Sequence, residues 1–175
     1  MHTSARTANL CGALGVVLSD ALADAAEVAG GSSAATALVG LYGPSNGASI
    51  DALAGVLGLS HSGAVRLVDR LASDGLLERR RGADQRSTAL QLTPAGRRMA
   101  RQVMRRREAN LQILLGLLTD DQERMLAEVM ERMLIELGRD RAAEARVCRL
   151  CDLEACGRPR GECPVAPARR RRHSA

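Results

Sequence analysis

The sequence contains almost no aromatic side chains: one of its 175 residues is Tyr, and Phe and Trp are absent. Proteins that bind single-stranded nucleic acid by stacking bases need several aromatic rings, so this class is disfavoured. The sequence also lacks an uninterrupted apolar run of about 18 residues and the basic-then-apolar layout of a signal peptide. We therefore expect a cytoplasmic protein with no membrane partner and a core of aliphatic side chains.

Groupings of residues that carry enzymatic chemistry are missing as well. The three histidines, His2, His61 and His173, are scattered along the chain. No Ser-His-Asp set, glycine-rich phosphate loop or carboxylate pair is evident. The sequence therefore predicts a binding protein and not an enzyme.

The basic charge is concentrated in one internal stretch. Residues 60–107 carry 12 Arg against four acidic residues, whereas residues 1–59 and 108–147 are net acidic. Positive charge gathered within one folded stretch is typical of a surface that binds phosphate groups. The alternative is an ordinary solvated face. We expect double-stranded DNA as the partner, because the basic stretch coincides with the structural pattern described next.

Hydrophobic periodicity and capping residues predict a mainly α fold with a small β-hairpin wing. The predicted helices cover residues 9–27, 33–42, 50–57, 61–73, 94–118 and 120–147, and the predicted strands cover 76–80 and 87–92. A Gly58-Leu59 turn joins two short helices, which is the helix-turn-helix arrangement. The hairpin that follows it completes a winged helix-turn-helix over residues 49–92.

The helix over residues 61–73 has the pattern of a helix that reads the major groove. Its apolar residues Ala64, Leu67, Val68 and Leu71 form an inner stripe. Its outer side offers short polar or basic groups near the N-terminus, as base recognition requires. The candidate DNA-binding residues on this helix are His61, Ser62, Gly63, Val65, Arg66 and Arg70.

The hairpin contributes further candidate DNA contacts. They are Arg80, Arg81, Asp84 and Arg86, in or beside a polar turn without bulky side chains. Arginines on such a turn suit a narrow minor groove. Asp84 is placed to hold the Arg86 guanidinium through a bidentate pair.

Several stretches of the sequence resemble the MarR family of bacterial transcriptional regulators. They are LSHSGAVRLVDRL at 59–71, GLLERR at 75–80, DQR at 84–86 and LQLTPAG at 90–96. The resemblance spans about residues 7–140. It implies a homodimer that binds a pseudo-palindromic operator, usually as a repressor, and that often responds to a small molecule.

The resemblance also implies a division of the chain and roles for single residues. A domain over 7–147 would place its DNA-binding part at about 33–92 and its dimerisation helices at about 7–30 and 94–147. Ser62, Gly63, Val65 and Arg66 match positions that read bases, and Asp84 and Arg86 match the wing-tip pair. Gly63 and Val65 replace the polar residues usual there, so base readout depends more on Arg66 and on DNA shape.

Four of the five cysteines lie close together near the C-terminus, as Cys148-x2-Cys151-x4-Cys156-x6-Cys163-Pro164. Such crowding in a cytosolic protein indicates metal binding or redox chemistry rather than structural disulfides. Uneven spacing and a final Cys-Pro favour an iron–sulfur cluster. Zinc, which more often uses two paired Cys-x2-Cys units, and metal-free thiols are the alternatives.

The surroundings of this cluster complete the predicted layout. The cysteine cluster occupies residues 148–164, and a disordered basic tail is expected over 165–175. Oxidation or metal loss just after the dimerisation helices would alter the spacing of the DNA-binding helices, which predicts a redox- or metal-responsive regulator. Cys11, in the first helix, is either a reactive thiol, as in some peroxide-sensing relatives, or a buried packing residue. Its neighbours Leu10, Gly12 and Leu14 include no basic group, so burial is expected.

A different class of function also fits the pattern: a metal-bearing adaptor whose winged helix binds another protein. Protein interfaces are typically depleted in charge at their centre. The arginines of residues 60–107 lie on the predicted recognition helix and hairpin. Their placement favours DNA over a protein partner.

Overall fold

The helices begin and end close to the positions that the capping residues predict. The computed structural model describes residues 4–43, 45–81 and 88–166. Its helices are α1 (Ala5–Glu27), α2 (Ser32–Tyr42), α3 (Ile50–Leu57), α4 (His61–Ser73), α5 (Pro94–Leu115), α6 (Asp120–Leu137) and α7 (Arg141–Val147). Two antiparallel strands, β1 (Leu77–Arg81) and β2 (Thr88–Leu92), pair with Leu77 opposite Leu92. The predicted mainly helical fold with a small hairpin is confirmed.

Side-chain caps account for several helix starts. The hydroxyl oxygens of Ser49, Ser60 and Thr93 each accept a hydrogen bond from the backbone N–H three residues on, at 3.1–3.2 Å. Thr119 and Gln122 cap α6 reciprocally, as the sequence predicts. These caps satisfy N–H groups that have no partner inside the helix, so they fix where α3, α4, α5 and α6 begin.

The main core lies between α2, α3, α4, the hairpin and the start of α5. Its large side chains, Leu38, Leu41, Leu53, Val68, Leu71 and Leu90, are at most 2% exposed. The Leu90 N–H donates to the Ala48 carbonyl at 3.0 Å, which ties β2 to the chain before α3. A Cβ at Gly96 would collide with the Leu76 carbonyl oxygen. The hairpin is therefore fixed against the chain before α3 and against α5, and α4 packs on the same core.

The prediction of one long last helix over 120–147 is wrong. α6 ends at Leu137, and Gly138 follows it with its N–H donating to the Leu134 carbonyl at 2.9 Å. A Cβ at Gly138 would lie 2.5 Å from Val165 Cγ1. The chain turns here, and Asp140 caps the separate helix α7 by accepting from Ala143 N–H at 2.8 Å. Gly138 and the Asp140 cap mark the break locally, and Val165 packs against it. Val165 is buried, so the disordered tail expected over 165–175 is wrong at its first residue; residues 167–175 lie outside the described ranges.

Smaller differences concern element ends. α1 begins at Ala5 rather than residue 9, and α5 ends at Leu115 rather than 118. The first strand is shifted by one residue, to 77–81, and the second begins at Thr88. The ends of helices and strands are the parts that local sequence determines least.

Helices α1 and α6 leave apolar side chains exposed. α1 buries only Ala25 and Ala26, and none of the α6 side chains is buried. The large exposed groups are Leu10, Leu14, Val16 and Val17 on α1 and Met125, Val129, Met130, Met133 and Leu137 on α6. By length and composition α1 is also apolar enough to cross a membrane, with a mean hydropathy of 1.3. We name these exposed groups the α1/α6 apolar face.

One side of α1 is nonetheless bound to α5 by polar contacts. Arg106 donates to the Asp24 carboxylate at 3.1 and 3.2 Å, and Asn110 donates to the Ala21 carbonyl at 2.9 Å. The hydrogen bonds from Arg106 and from Asn110 lower the pKa of Asp24. Cys11, on α1, is exposed, so the prediction that it is buried is wrong for the single chain.

Candidate nucleic-acid interface

The inner stripe of α4 determines which of its side chains face solvent. Ala64, Leu67, Val68 and Leu71 are buried, as predicted. The sequence-predicted residues on the other side are His61, Ser62, Arg66 and Arg70, all exposed, and Gly63 and Val65, both partly buried. Because a helix is rigid, burying one stripe presents this second stripe as one surface. We call these six residues the recognition face.

The N-terminus of α4 is held to α3 by a polar contact. His61 Nδ1 lies 2.6 Å from Asp51 Oδ1. Ser60 caps the helix, and its hydroxyl lies 3.3 Å from that of Ser62. No acidic residue occurs in the first turn of α4, so the N–H groups and the helix dipole favour an anion there. Asp51 reduces that attraction on the His61 side.

The arginines of the interface differ in their partners. Arg79 is bound to Asp69 at 2.6 Å and Arg80 to Glu78 at 2.7 Å. Arg66 and Arg70 form no ion pair with any residue that the structure describes. Among the described arginine side chains of α4 and β1, these two guanidinium groups are therefore available to an external anion or base edge. The sequence did not indicate the Arg79–Asp69 pair, whose two residues lie ten apart on different elements.

Part of the predicted hairpin contact falls outside the described ranges. Asp84 and Arg86 are not among the described residues, and only the backbone of Arg81 is described, as the end of β1. The pairing of Asp84 with Arg86 stays a prediction. What is described is the base of the wing, where Arg80 is exposed on β1.

Two arginines of α5, within the basic stretch 60–107, have partners within the chain. The Arg97 guanidinium donates to the Leu92 carbonyl at 2.7 Å. The Arg101 guanidinium lies 5.9 Å from the centre of the Tyr42 ring, a cation–π distance. Both arginines contribute to packing at the junction of α2, β2 and α5.

The four C-terminal cysteines lie in one small apolar cluster. Cys148 and Cys163 are buried, at 4% and 3% exposed, and Cys151 and Cys156 pack against them partly buried. All four are free thiols. No group of three or more His, Cys, Asp or Glu side chains within residues 4–43, 45–81 and 88–166 is arranged to hold a metal ion as it stands.

The thiols influence one another's ionisation. A hydrogen bond with Cys148 lowers the pKa of Cys151 to about 6, and the same interaction raises the pKa of Cys148. Burial raises the pKa of Cys156. Arg107 and Arg158 both lie close enough to Cys151 to favour its thiolate form. The thiolate form of Cys151 is therefore favoured, and two cationic groups lie beside it.

The segment that carries the cysteines is packed on the winged-helix body. Leu150 contacts a second core cluster formed by Ala26, Ala35, Val39 and Val103. At the end of α2, a Cβ on Gly43 would lie 3.2 Å from Leu153 Cδ1. The Arg158 guanidinium donates to the buried Glu144 carboxylate at 2.9 Å. The cysteines are thereby brought beside α2 and α5, which the sequence alone did not indicate.

A cavity of about 310 Å³ lies where α1, α2, α3 and α5 meet this segment. Arg107 and Arg149 line it together with apolar groups that include Leu22 and Leu150. Arg107 Nε is buried without a hydrogen-bond partner in the described chain. A cavity with both polar and apolar lining and two guanidinium groups suits a small organic anion.

No family model matches the sequence, and no curated protein matches it either. Solved structures do match. Rv1404 from Mycobacterium tuberculosis is 22% identical, with 76% of this chain and 94% of that chain covered and a TM-score of 0.64. Staphylococcus aureus MepR, a transcription regulator of the multidrug efflux pump MepA, is 18% identical, with 78% and 99% covered and a TM-score of 0.61.

A third match is the Mycobacterium tuberculosis MarR family protein Rv2887 in complex with p-aminosalicylic acid. It is 22% identical, with 72% of this chain and 96% of that chain covered and a TM-score of 0.56. These likenesses show that the chain has the MarR-like winged-helix fold, as its sequence motifs predict. They leave about a quarter of this chain unmatched.

Proposed function

We propose that this protein is a non-enzymatic transcriptional regulator that binds double-stranded DNA sequence-specifically and acts as a repressor. The observation that carries the proposal is the recognition face of α4, where Arg66 and Arg70 are exposed without a described ion-pair partner. In a winged helix-turn-helix fold this is the helix that enters the major groove. The exposed arginines of α4 and β1 then lie toward the phosphates.

Base recognition on this face depends chiefly on Arg66. An arginine reads guanine through two hydrogen bonds to O6 and N7. Val65 is partly buried and offers methyl groups that suit a thymine methyl, and Gly63 offers no side chain. Ser62 is exposed beside the helix start and adds a hydroxyl. Specificity therefore comes from few direct contacts, supplemented by the shape of the DNA.

The proposed active form is a homodimer built on the α1/α6 apolar face. Exposed apolar groups of this extent mark an interaction surface. A bilayer does not suit both helices, because α6 carries three acidic residues in its first turn alone. The Arg106–Asp24 contact also places polar groups along α1. A second copy of the chain covers both helices at once, which suits a cytoplasmic dimer on a pseudo-palindromic operator.

A small-molecule effector is part of the proposal. The cavity lined by Arg107 and Arg149 lies between α1 and the helices that carry the DNA-binding part. A carboxylate would satisfy the buried Arg107 Nε. The similar protein Rv2887 was crystallised with p-aminosalicylic acid, an aromatic carboxylic acid. We infer an organic acid as the effector class here.

The test of DNA binding is a fluorescence anisotropy titration with duplex DNA from upstream of the protein's own gene. Arg66→Ala should weaken binding to this DNA by about 5- to 150-fold, which corresponds to about 1–3 kcal/mol. Binding to unrelated duplex should change much less, because that binding depends on phosphate contacts. Arg132→Ala, an exposed arginine on α6, is the matched control and should leave the titration unchanged. An equal loss on both DNAs would contradict base recognition by Arg66.

A further inference from the structure

The cysteine segment, residues 148–163, is ordered although it contains little apolar material. Apart from its cysteines, its aliphatic side chains of any size are Leu150 and Leu153. Leu150 packs outward on the second core cluster, and Leu153 packs on Gly43. Neither fills the centre of the segment. Short segments without a core of their own usually depend on disulfides or a metal for a fixed structure.

The backbone of the segment is shaped so that its four cysteines meet. The Cys151 N–H donates to the Cys148 carbonyl at 3.0 Å, and the Cys156 N–H donates to the Asp152 carbonyl at 3.0 Å. Gly157 and Gly161 adopt φ values of +69° and +74°, which side chains other than glycine rarely allow. A Cβ on Gly157 would lie 2.7 Å from Glu162 Cβ. Two sharp turns thus return the chain to Cys163.

The centre that results brings the four thiols together with Val165, and Leu134, Val147 and Ala166 pack against it. Cys148, Cys163 and Val165 form its buried part, and Cys151 and Cys156 pack against them from the partly exposed side. All four thiols are unbonded. Two buried thiols and two beside them, drawn from one short segment, are a typical ligand set for a soft metal.

We propose that Cys148, Cys151, Cys156 and Cys163 ligate one thiophilic metal centre, which fastens the cysteine segment to the winged-helix body. The ligands bind as thiolates, so each protonated thiol releases its proton to solvent when the metal enters. Entry of a single divalent ion needs no redox change of protein or metal, whereas assembly of an iron–sulfur cluster from ferrous iron and sulfide also requires an oxidant such as ferric iron. Arg107 and Arg158, near Cys151, offset the negative charge of a four-thiolate site.

The spacing of the four cysteines along the chain bears on whether zinc or an iron–sulfur cluster fits the site. Tetrahedral zinc with Zn–S bonds of about 2.3 Å requires sulfur atoms about 3.8 Å apart. No three metal-binding side chains of the described residues are arranged to hold a metal ion as they stand, so a single ion would require the thiols to turn inward. The uneven spacing of the cysteines with a final Cys-Pro is typical of iron–sulfur clusters. We expect iron and sulfide.

The experiment is a metal and sulfide analysis of the full chain purified without oxygen, before and after reconstitution with ferrous and ferric iron and sulfide, or with zinc. Iron and acid-labile sulfide in equal amounts, with visible absorbance, would support the site as a cluster. Stoichiometric zinc would support the same four-thiolate site holding a single ion. Protein that binds neither under any of these conditions would overturn the proposal.

Substitutions assign the ligands. Cys148→Ser and Cys156→Ser should each weaken metal retention against a competing chelator by at least about tenfold. Cys11→Ser makes the same change at the exposed cysteine of α1 and should have no effect. Circular dichroism of each variant checks that α1 to α7 remain folded. Wild-type retention by both folded cluster variants would overturn the assignment.

A second measurement avoids substitutions altogether. In the wild-type chain, alkylation followed by mass spectrometry should show all four cluster cysteines protected until a chelator is added. Equal reaction with and without chelator would contradict ligation. None of these experiments uses DNA, so their results are independent of the proposed function. Only a regulatory effect of the site on operator binding rests on that function.

Discussion

The winged helix and the cysteine segment are held in place by different kinds of side chain. Around α3, α4 and β2 the interior is filled by leucines such as Leu38, Leu53, Leu71 and Leu90, each at most 1% exposed. The centre of the cysteine segment consists of two buried cysteines and Val165. Burial of aliphatic surface contributes about 25 cal/mol per Å². The winged helix is therefore stabilised by its own burial, whereas we propose that a metal centre adds to the smaller core of the cysteine segment.

The largest expected effect tests the first half of this comparison. Leu90→Ala removes a fully buried side chain at the centre of the main core. It should lower the free energy of unfolding by about 2–5 kcal/mol, since the surrounding structure fills the cavity only partly. Denaturant unfolding followed by circular dichroism measures the change. The loss should be the same in metal-loaded and chelated protein, and a loss that vanishes on chelation would contradict independent stabilisation.

A smaller effect tests how the two regions are joined. A Cβ at Gly138 would lie 2.5 Å from Val165 Cγ1, so Gly138→Ala should push the C-terminal segment away from α6. We expect a destabilisation of about 1–3 kcal/mol, measured by denaturant unfolding, together with easier metal loss.

The matched control for this change is another glycine-to-alanine substitution. Gly55 lies inside α3, and nothing lies within 4 Å of a Cβ built there. Gly55→Ala should therefore stabilise the protein by about 0.4–1 kcal/mol. If both substitutions shifted stability in the same direction, the packing of Val165 on Gly138 would not be close enough to exclude a side chain there.

The smallest expected effect concerns the contact between α1 and α5, away from both regions. Hydrogen bonds from Arg106 and Asn110 lower the pKa of Asp24 below its usual value of 3.8. A lowered pKa means that the contact stabilises the fold above the unfolded-state pKa and is lost as pH falls through the folded-state pKa. Asp24→Asn should thus slightly lower the melting temperature at neutral pH.

The pH dependence separates this contact from other effects of the substitution. The difference in melting temperature between wild type and Asp24→Asn should shrink as the pH is lowered below about 4. Metal content should not change. A difference that stays constant across this range would show that the carboxylate charge is not what the contact depends on.

Most of the winged helix could be predicted from sequence patterns within one or two helical turns. The caps at Ser49, Ser60 and Thr93 and the inner stripe of α4 are set by residues within one or two helical turns. Val165, far along the chain, packs against Gly138 at the end of α6. Gly138 and the Asp140 cap were local signals for the break, whereas the packing of Val165 there required the fold.

In the candidate site, too, some features could be predicted from local sequence and others required the fold. The exposure of Arg66 follows from the helical period, whereas the pairing of Arg79 with Asp69 requires β1 to lie beside α4. The spacing of the cysteines predicted that they act together, but the contacts of Leu150 with α2 and α5 required the fold. The burial of Cys11 depends on whatever covers α1, which is a property of the assembly and not of one chain.

The most direct test of the central proposal is the titration of the full chain with duplex DNA from upstream of its own gene, beside unrelated duplex. We predict saturable binding of one dimer per pseudo-palindromic site, stronger than binding to unrelated DNA by about 10³-fold or more. This preference should fall with Arg66→Ala and persist with Arg132→Ala. Equal affinity for both DNAs, or a preference unaffected by Arg66→Ala, would contradict sequence recognition by the exposed face of α4.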